Sequence, residues 1–143
     1  MTTVLDTSVF SAIVRGQSEP VRRLLALEPR AVLLPQPVIA EVEYGLARLP
    51  RSRRRSALED RVRSLFGAIG RAEWTDEVSR RFGAVKADLE KRGTRVADFD
   101  VAIASHALAA DAVVATANVR HFERITGLRV EDWTISETAA SSD

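Results

Sequence analysis

Cysteine is absent from the 143 residues, and histidine occurs only at His106 and His121. Disulfides and thiolate metal sites are therefore excluded, and a histidine-rich zinc site lacks ligands, so any metal must be held by oxygen. No apolar run approaches the roughly 20 residues of a membrane span. The N-terminus shows neither the basic nor the apolar region of a signal peptide, so the expected location is the cytoplasm, with no membrane partner. Charge of one sign is not in excess either. With 21 basic and 20 acidic residues, net charge +1, attraction to a polyanion has to come from a local patch. Aromatic residues make up 6% of a chain that is 45% hydrophobic, which predicts one aliphatic core and a single domain.

What the chain does have is short, continuous apolar runs at Thr3 to Leu5, Ala31 to Leu34 and Ala112 to Ala115. They do not alternate with polar residues, as expected of strands buried on both faces of a parallel sheet. Amphipathic segments lie between them. The clearest runs from Thr75 to Arg92 with Val78, Phe82, Val85 and Leu89 on one face; Thr75 caps it and Gly93 ends it. Others are predicted from Pro37 to about Arg48, over Arg51 to Phe66, and over the nearly all-apolar "DFDVAIASHALAA". Strands alternating with helices imply an α/β sandwich, whose ligands gather beyond the carboxyl ends of the strands where strand order reverses. Asp6 follows the first strand, and Thr116 and Asn118 follow the Ala112 to Ala115 strand. If those strands are neighbours, the three residues share a crevice.

Three acids stand out. Asp6 is equally well read as a helix N-cap and as a functional carboxylate. Glu41 lies among Ile39, Ala40 and Val42, so it sits beside a buried face and needs a partner; Arg48 could offer only a solvent-exposed one. Asp100 opens the most apolar helix, where capping is again the bland explanation. Arg48, Arg51, Arg53, Arg54 and Arg55 form a basic cluster. It reads as an RNA phosphate track or as a solvated charged surface.

Taken in order, "VLDTS", "IAEVEYGL", "ADFDVAIASHAL" and "VVATANVRHFERITGLRVEDW" resemble the PIN domain family, in particular the VapC-type toxins of bacterial toxin–antitoxin pairs, from Val4 to Trp133. The resemblance implies a three-layer α/β/α sandwich around a short parallel sheet, over residues 1–134, with 135–143 a disordered tail. It also implies an acidic cluster binding Mg²⁺ or Mn²⁺, and endoribonuclease activity. Asp6, Glu41 and Asp100 match the family's first three acids; Asp98 is then a flanking acid or cap. Asn118 stands where many members carry an aspartate, and His121 where another acid often follows. Asn118 can still ligate weakly through its carbonyl oxygen but brings no charge. His121 is read as structural or RNA-facing, and His106 as a satisfied core residue.

On this resemblance Asp6 and Asp100 are direct metal ligands and Glu41 a ligand or water-orienting base. Thr7, Thr116 and Asn118 supply hydrogen bonds to the cluster or substrate, while Arg53, Arg54 and Arg55 contact phosphates. Clustered carboxylates repel, and a hard cation that accepts oxygen ligands offsets the repulsion and suits phosphodiester hydrolysis. The implied partners are a structured RNA such as tRNA or rRNA, a VapB-type antitoxin, and a second copy of the chain across apolar surface on the helices after Pro37. Two alternatives compete: a non-catalytic PIN-like RNA- or protein-binding module, and an aspartyl-phosphate phosphatase. The latter chemistry wants a second aspartate where Ser8 stands.

Overall fold

The computed structural model describes residues 1–136. The anticipated disordered tail falls largely on residues 137–143, outside the described residues. Before it, Ile135 is tied back by its carbonyl, which accepts a 2.6 Å hydrogen bond from Arg23.

The chain runs β1 (Thr3–Leu5), α1 (Thr7–Val14), α2 (Ser18–Ala26), β2 (Val32–Pro35), α3 (Gln36–Ala47), α4 (Arg53–Ala68), β3 (Gly70–Ala72), α5 (Asp76–Lys91), α6 (Asp98–Ala109), β4 (Val113–Thr116) and β5 (Arg129–Asp132). A 3-10 turn at Val119–His121 lies between the last two strands. All strand pairings are parallel, in the order β3-β2-β1-β4-β5. The result is the expected three-layer α/β/α sandwich. Among the described residues no helix is long and apolar enough to cross a membrane.

The central strands are the ones the apolar runs announce. Val4, Leu5, Leu34, Val114 and Ala115 are fully buried, because helices cover both faces of a parallel sheet. β1 pairs with β4 in the register Leu5 opposite Ala115. The reversal of strand order therefore falls between them, which places Asp6 and Thr116 at one crevice. β3 and β5 are the edges; their residues alternate or stay exposed, so no apolar run marks them. α2, likewise unmarked, buries only Pro20.

The helices follow their caps. Ser52 accepts from Arg55 N at the start of α4, and Thr75 from Val78 N at the start of α5. On α6, Ala104 and Ala107 are fully buried; their small side chains let the helix lie close on β1 and β4. The apolar face of α3 (Val38, Val42, Leu46) goes into the core, which leaves Tyr44 and, just beyond the helix, Leu49 as the exposed apolar residues there.

His106 departs from the expectation of a satisfied core histidine. It is 2% exposed, yet its Nε2 has no hydrogen-bond partner among the described residues; the ring makes a T-shaped contact with Trp74, centroids 5.5 Å apart. A buried polar atom left unpaired costs about 1–3 kcal/mol. Burial pushes its pKa down to about 4. The neutral ring contributes its full share of stability above the unfolded value near 6.5. That share is lost as pH falls toward 4, because the unfolded chain takes up a proton the folded one refuses. Urea midpoints at pH 7 and pH 5 should therefore differ more in the wild type than in His106→Leu; equal differences would show that His106 does not titrate on unfolding.

Candidate active site

Asp6 begins the site. It is the N-cap of α1, with Oδ1 accepting from Val9 N at 2.9 Å, so the capping role is real. The same oxygen accepts from Ser8 Oγ at 2.7 Å, and Oδ2 accepts from Thr116 Oγ1 at 2.6 Å. At 5% exposure a carboxylate requires such partners. The strand pairing supplies them: Asp6 N donates to Ala115 O, bringing the ends of β1 and β4 together. Thr116 Oγ1 in turn accepts from Asn118 N at 2.8 Å, and Ser8 Oγ from Ala117 N at 2.9 Å. The two oxygens of Asp6 are thus in different employment, Oδ1 capping α1 and Oδ2 tied to the end of β4.

Glu41 finds the partner its position requires in Thr7, not in Arg48: Thr7 Oγ1 donates to Oε1 at 2.6 Å. Arg48 instead lies over the Tyr44 ring, 5.6 Å from its centroid. Asp100 is not the cap of α6. Ala97 holds that place without a side-chain bond, and Asp98 and Asp100 occupy the first turn, where the helix dipole favours negative charge. Asp98 turns away to Lys86, 3.1 Å from its Nζ, and is a flanking acid. Asp100 Oδ2 lies 3.2 Å from His121 Nδ1.

Asp100 senses the other two carboxylates. Burial raises the pKa of Asp100, and repulsion from Glu41 and Asp6 raises it further, against the opposing pull of His121. Among the described residues, however, no three acidic or histidine side chains converge as a ready-made metal-binding group. Each carboxylate is turned onto its own internal donor. By donor chemistry the set fits a hard divalent cation, being carboxylate oxygens without thiolate, with Asp6, Glu41 and Asp100 the side chains that would hold it. Asn118 is exposed, and its side chain makes no hydrogen bond among the described residues.

Beside the cluster lies a cavity of about 1070 Å³, lined by Thr7 and Glu41, by Arg15, Arg48, Arg54, Arg55 and Arg61, and by Tyr44 and Phe99. The arginines play different parts. Arg54 is exposed on the cavity wall, whereas Arg55 is held by Glu59 at 2.8 Å and the Leu49 carbonyl at 2.7 Å. Arg53 is exposed away from this lining.

A PIN domain family model matches residues 3–128. The chain belongs to the PIN domain family. Its relatives place it with the VapC type: it is 31% identical over 133 residues to the tRNA(fMet)-specific endonuclease VapC of Salmonella typhimurium, covering 91% of this chain and 96% of that one. The crystal structure of DNA-bound VapBC from the same organism superposes with a TM-score of 0.83 at 27% identity, over 93% of this chain and 98% of that one. VapBC2 from Rickettsia felis, bound to a promoter DNA fragment, gives the same TM-score at 23% identity, over 93% and 99% of the two chains, a likeness of fold.

Within this PIN domain several contacts escape a reading of the sequence. Ser8 is legible only as the wrong residue for a phosphatase, yet it binds Asp6 and the backbone after β4. His121 reaches Asp100 because the 3-10 turn after β4 carries it back over the start of α6. Tyr44 and Phe99 carry no signal that separates them from core aromatics.

A raised carboxylate pKa has a definite consequence for the metal-free protein. Stability from Asp100 is full below the ordinary carboxylate range and is lost as pH rises through the raised value. Asp100→Asn should therefore be more resistant to urea than the wild type at pH 7 in EDTA, and the gap should close near pH 4. A gap that is constant with pH would place its cause elsewhere.

Proposed function

We propose that this protein is a metal-dependent endoribonuclease, the toxin of a toxin–antitoxin pair, with Asp6, Glu41 and Asp100 as its catalytic acids. The observation that carries the reading is the Asp6 carboxylate at the β1/β4 reversal, with the adjoining Thr7 bonded to Glu41 and with Asp100 near enough to feel the charge of both acids. Support comes from the relatives, named as VapC endonucleases and ribonucleases over nearly their whole length. The cation would be Mg²⁺ or Mn²⁺, held by Asp6 and Asp100 with Glu41, and by Asn118 only weakly.

When bound, such a cation supplies positive charge against the phosphoryl oxygens and acidifies water. The chain's own residues do the positioning. Thr116 and Ser8 fix the Asp6 carboxylate so that its orientation is set before substrate arrives. Thr7 holds one oxygen of Glu41 and leaves the other to accept a proton or orient water. His121 steadies Asp100 from the solvent side. Arg54 and its neighbours on the cavity wall attract the phosphate chain locally, which the near-zero net charge cannot do. The substrate class is RNA, with tRNA or rRNA as natural targets. A VapB-type antitoxin is the partner, by analogy with the VapBC complexes this chain resembles. A basic side chain of that antitoxin would be drawn to the three carboxylates.

Asp6→Asn and Asp100→Asn should each lower cleavage of a labelled RNA by roughly a hundredfold or more, with unchanged circular dichroism, and EDTA should silence the wild type until Mg²⁺ or Mn²⁺ is restored. Full activity in either variant would sink the assignment. The arginines separate by role: Arg54→Ala should reduce the slope of log affinity against log salt by about 0.7, one single-strand phosphate contact. Arg55→Ala should chiefly lower the melting temperature, because it frees Glu59 and the Leu49 carbonyl. An Arg54 variant with an unaltered slope would return that residue to the solvated surface.

A further inference from the structure

Composition points to oxygen ligands for any metal, yet folding brings one nitrogen to the acidic cluster. Of the two histidines, His106 is buried in α6. His121 instead ends the 3-10 turn after β4, its side chain 54% exposed and its Nδ1 3.2 Å from Asp100 Oδ2. The turn is firmly placed. His121 N donates to Asn118 O, and Phe122 N to Val119 O, each at 3.0 Å. The next side chain, Phe122, is fully buried and anchors the turn in the core. Asp100 is the one polar partner of the imidazole among the described residues.

The choice of an imidazole to face Asp100 has a chemical consequence. An ammonium or guanidinium in that place would have no lone pair to offer. The hydroxyls of Thr7 and Thr116 are donors to Glu41 and Asp6. An imidazole nitrogen, by contrast, is itself among the commonest protein ligands for metal ions. Neighbouring ligands around an octahedral ion with bonds of about 2.1 Å lie roughly 3 Å apart. At 3.2 Å Asp100 and His121 already stand close to that separation, so sharing one cation asks little movement of either. Asp6 and Glu41 belong to the same neighbourhood, since Asp100 feels the charge of both together with that of His121. Asn118, at the start of the turn, is exposed and brings no charge. The donor set is then three carboxylates and one nitrogen. An oxygen-only set suits Mg²⁺, whereas an added imidazole raises the affinity for first-row transition ions.

We propose that His121 is a nitrogen ligand of the cation held by Asp6, Glu41 and Asp100, and that it makes the site select Mn²⁺ over Mg²⁺. The inference rests on the metal-dependent reading above and narrows it to one of the two cations. The rival role for His121 is a hydrogen-bond partner that orients Asp100 and never touches the ion. In that role, removing the imidazole weakens Mn²⁺ and Mg²⁺ alike.

The test reads metal binding, not cleavage. Full-length protein without a histidine tag is freed of metal and titrated with Mn²⁺, bound ion being followed by electron paramagnetic resonance. Mg²⁺ affinity is taken from competition against Mn²⁺. The electron spin-echo modulation of the Mn²⁺ complex should show one directly bound ¹⁴N in the wild type and in His106→Leu, and none in His121→Ala. His121→Ala should weaken Mn²⁺ by at least about tenfold, the lower end of what losing even an outer-shell partner costs. Mg²⁺ affinity in the same variant should stay within about threefold of the wild type, because that ion gains little from imidazole. His121→Asp restores an all-oxygen set and should bind Mg²⁺ more tightly than the wild type while showing no nitrogen. Bound Mn²⁺ without a nitrogen signal in the wild type overturns the proposal and leaves the ribonuclease reading intact. That measurement needs no variant, so it stands even if a substitution disturbs the fold. Parallel loss of both ions in His121→Ala overturns the proposal in the same way. A wild type that binds neither ion overturns the metal-dependent reading as well.

Discussion

The parallel pairing of β1 with β4 is the constraint on which the rest of the molecule depends. It sets Leu5 opposite Ala115 and thereby carries the Thr116 hydroxyl to 2.6 Å from the Asp6 carboxylate. A carboxylate that is 5% exposed is tolerable only when its lone pairs are taken up. Val9 N, Ser8 Oγ and Thr116 Oγ1 do this. Two of these donors belong to α1, which Asp6 itself caps, and the third to a strand distant in sequence. Strand register, helix start and carboxylate orientation are therefore one cooperative arrangement. A shift of β4 by one residue would turn Thr116 to the other side of the sheet and leave Asp6 Oδ2 without its donor.

How much of this could be read from the amino acids follows from where each element lies. β1, β2 and β4 are visible as unbroken apolar runs because helices cover both their faces. β3, a Gly-Arg-Ala edge, and β5, with its alternating exposure, border solvent and so carry no such run. The acids were legible through their order and spacing, and the neighbouring strands β1 and β4 gave Asp6 and Thr116 their shared crevice. Their partners were not. Glu41 visibly needed a donor, but Thr7 is 34 residues away, and only folding places α1 against α3. His121 was legible as a substitution at a habitually acidic place, but not as a neighbour of Asp100. His106 shows the opposite failure: an apolar helix implies burial, and burial implies satisfaction, yet Nε2 lacks a partner among the described residues.

The cationic residues are distributed in a way that bears on function. No lysine or arginine among the described residues forms a salt bridge with Asp6, Glu41 or Asp100; Lys86 is spent on the flanking Asp98, and Arg55 on Glu59. Hydroxyls and one imidazole do the holding instead. A hydroxyl orients a carboxylate without neutralising it, so the charge of the cluster is preserved; burial first, and then repulsion from Glu41 and Asp6, raise the pKa of Asp100. A permanent cation in the same place would offset that repulsion. The arginines stand one step further out, along the cavity wall. On the ribonuclease reading proposed above, they would draw a phosphate backbone toward the carboxylates without pairing with them. On the same reading, such an order would make entry of a polyanion depend on a charge supplied from outside, and would leave the acidic centre open to a basic side chain able to reach it first.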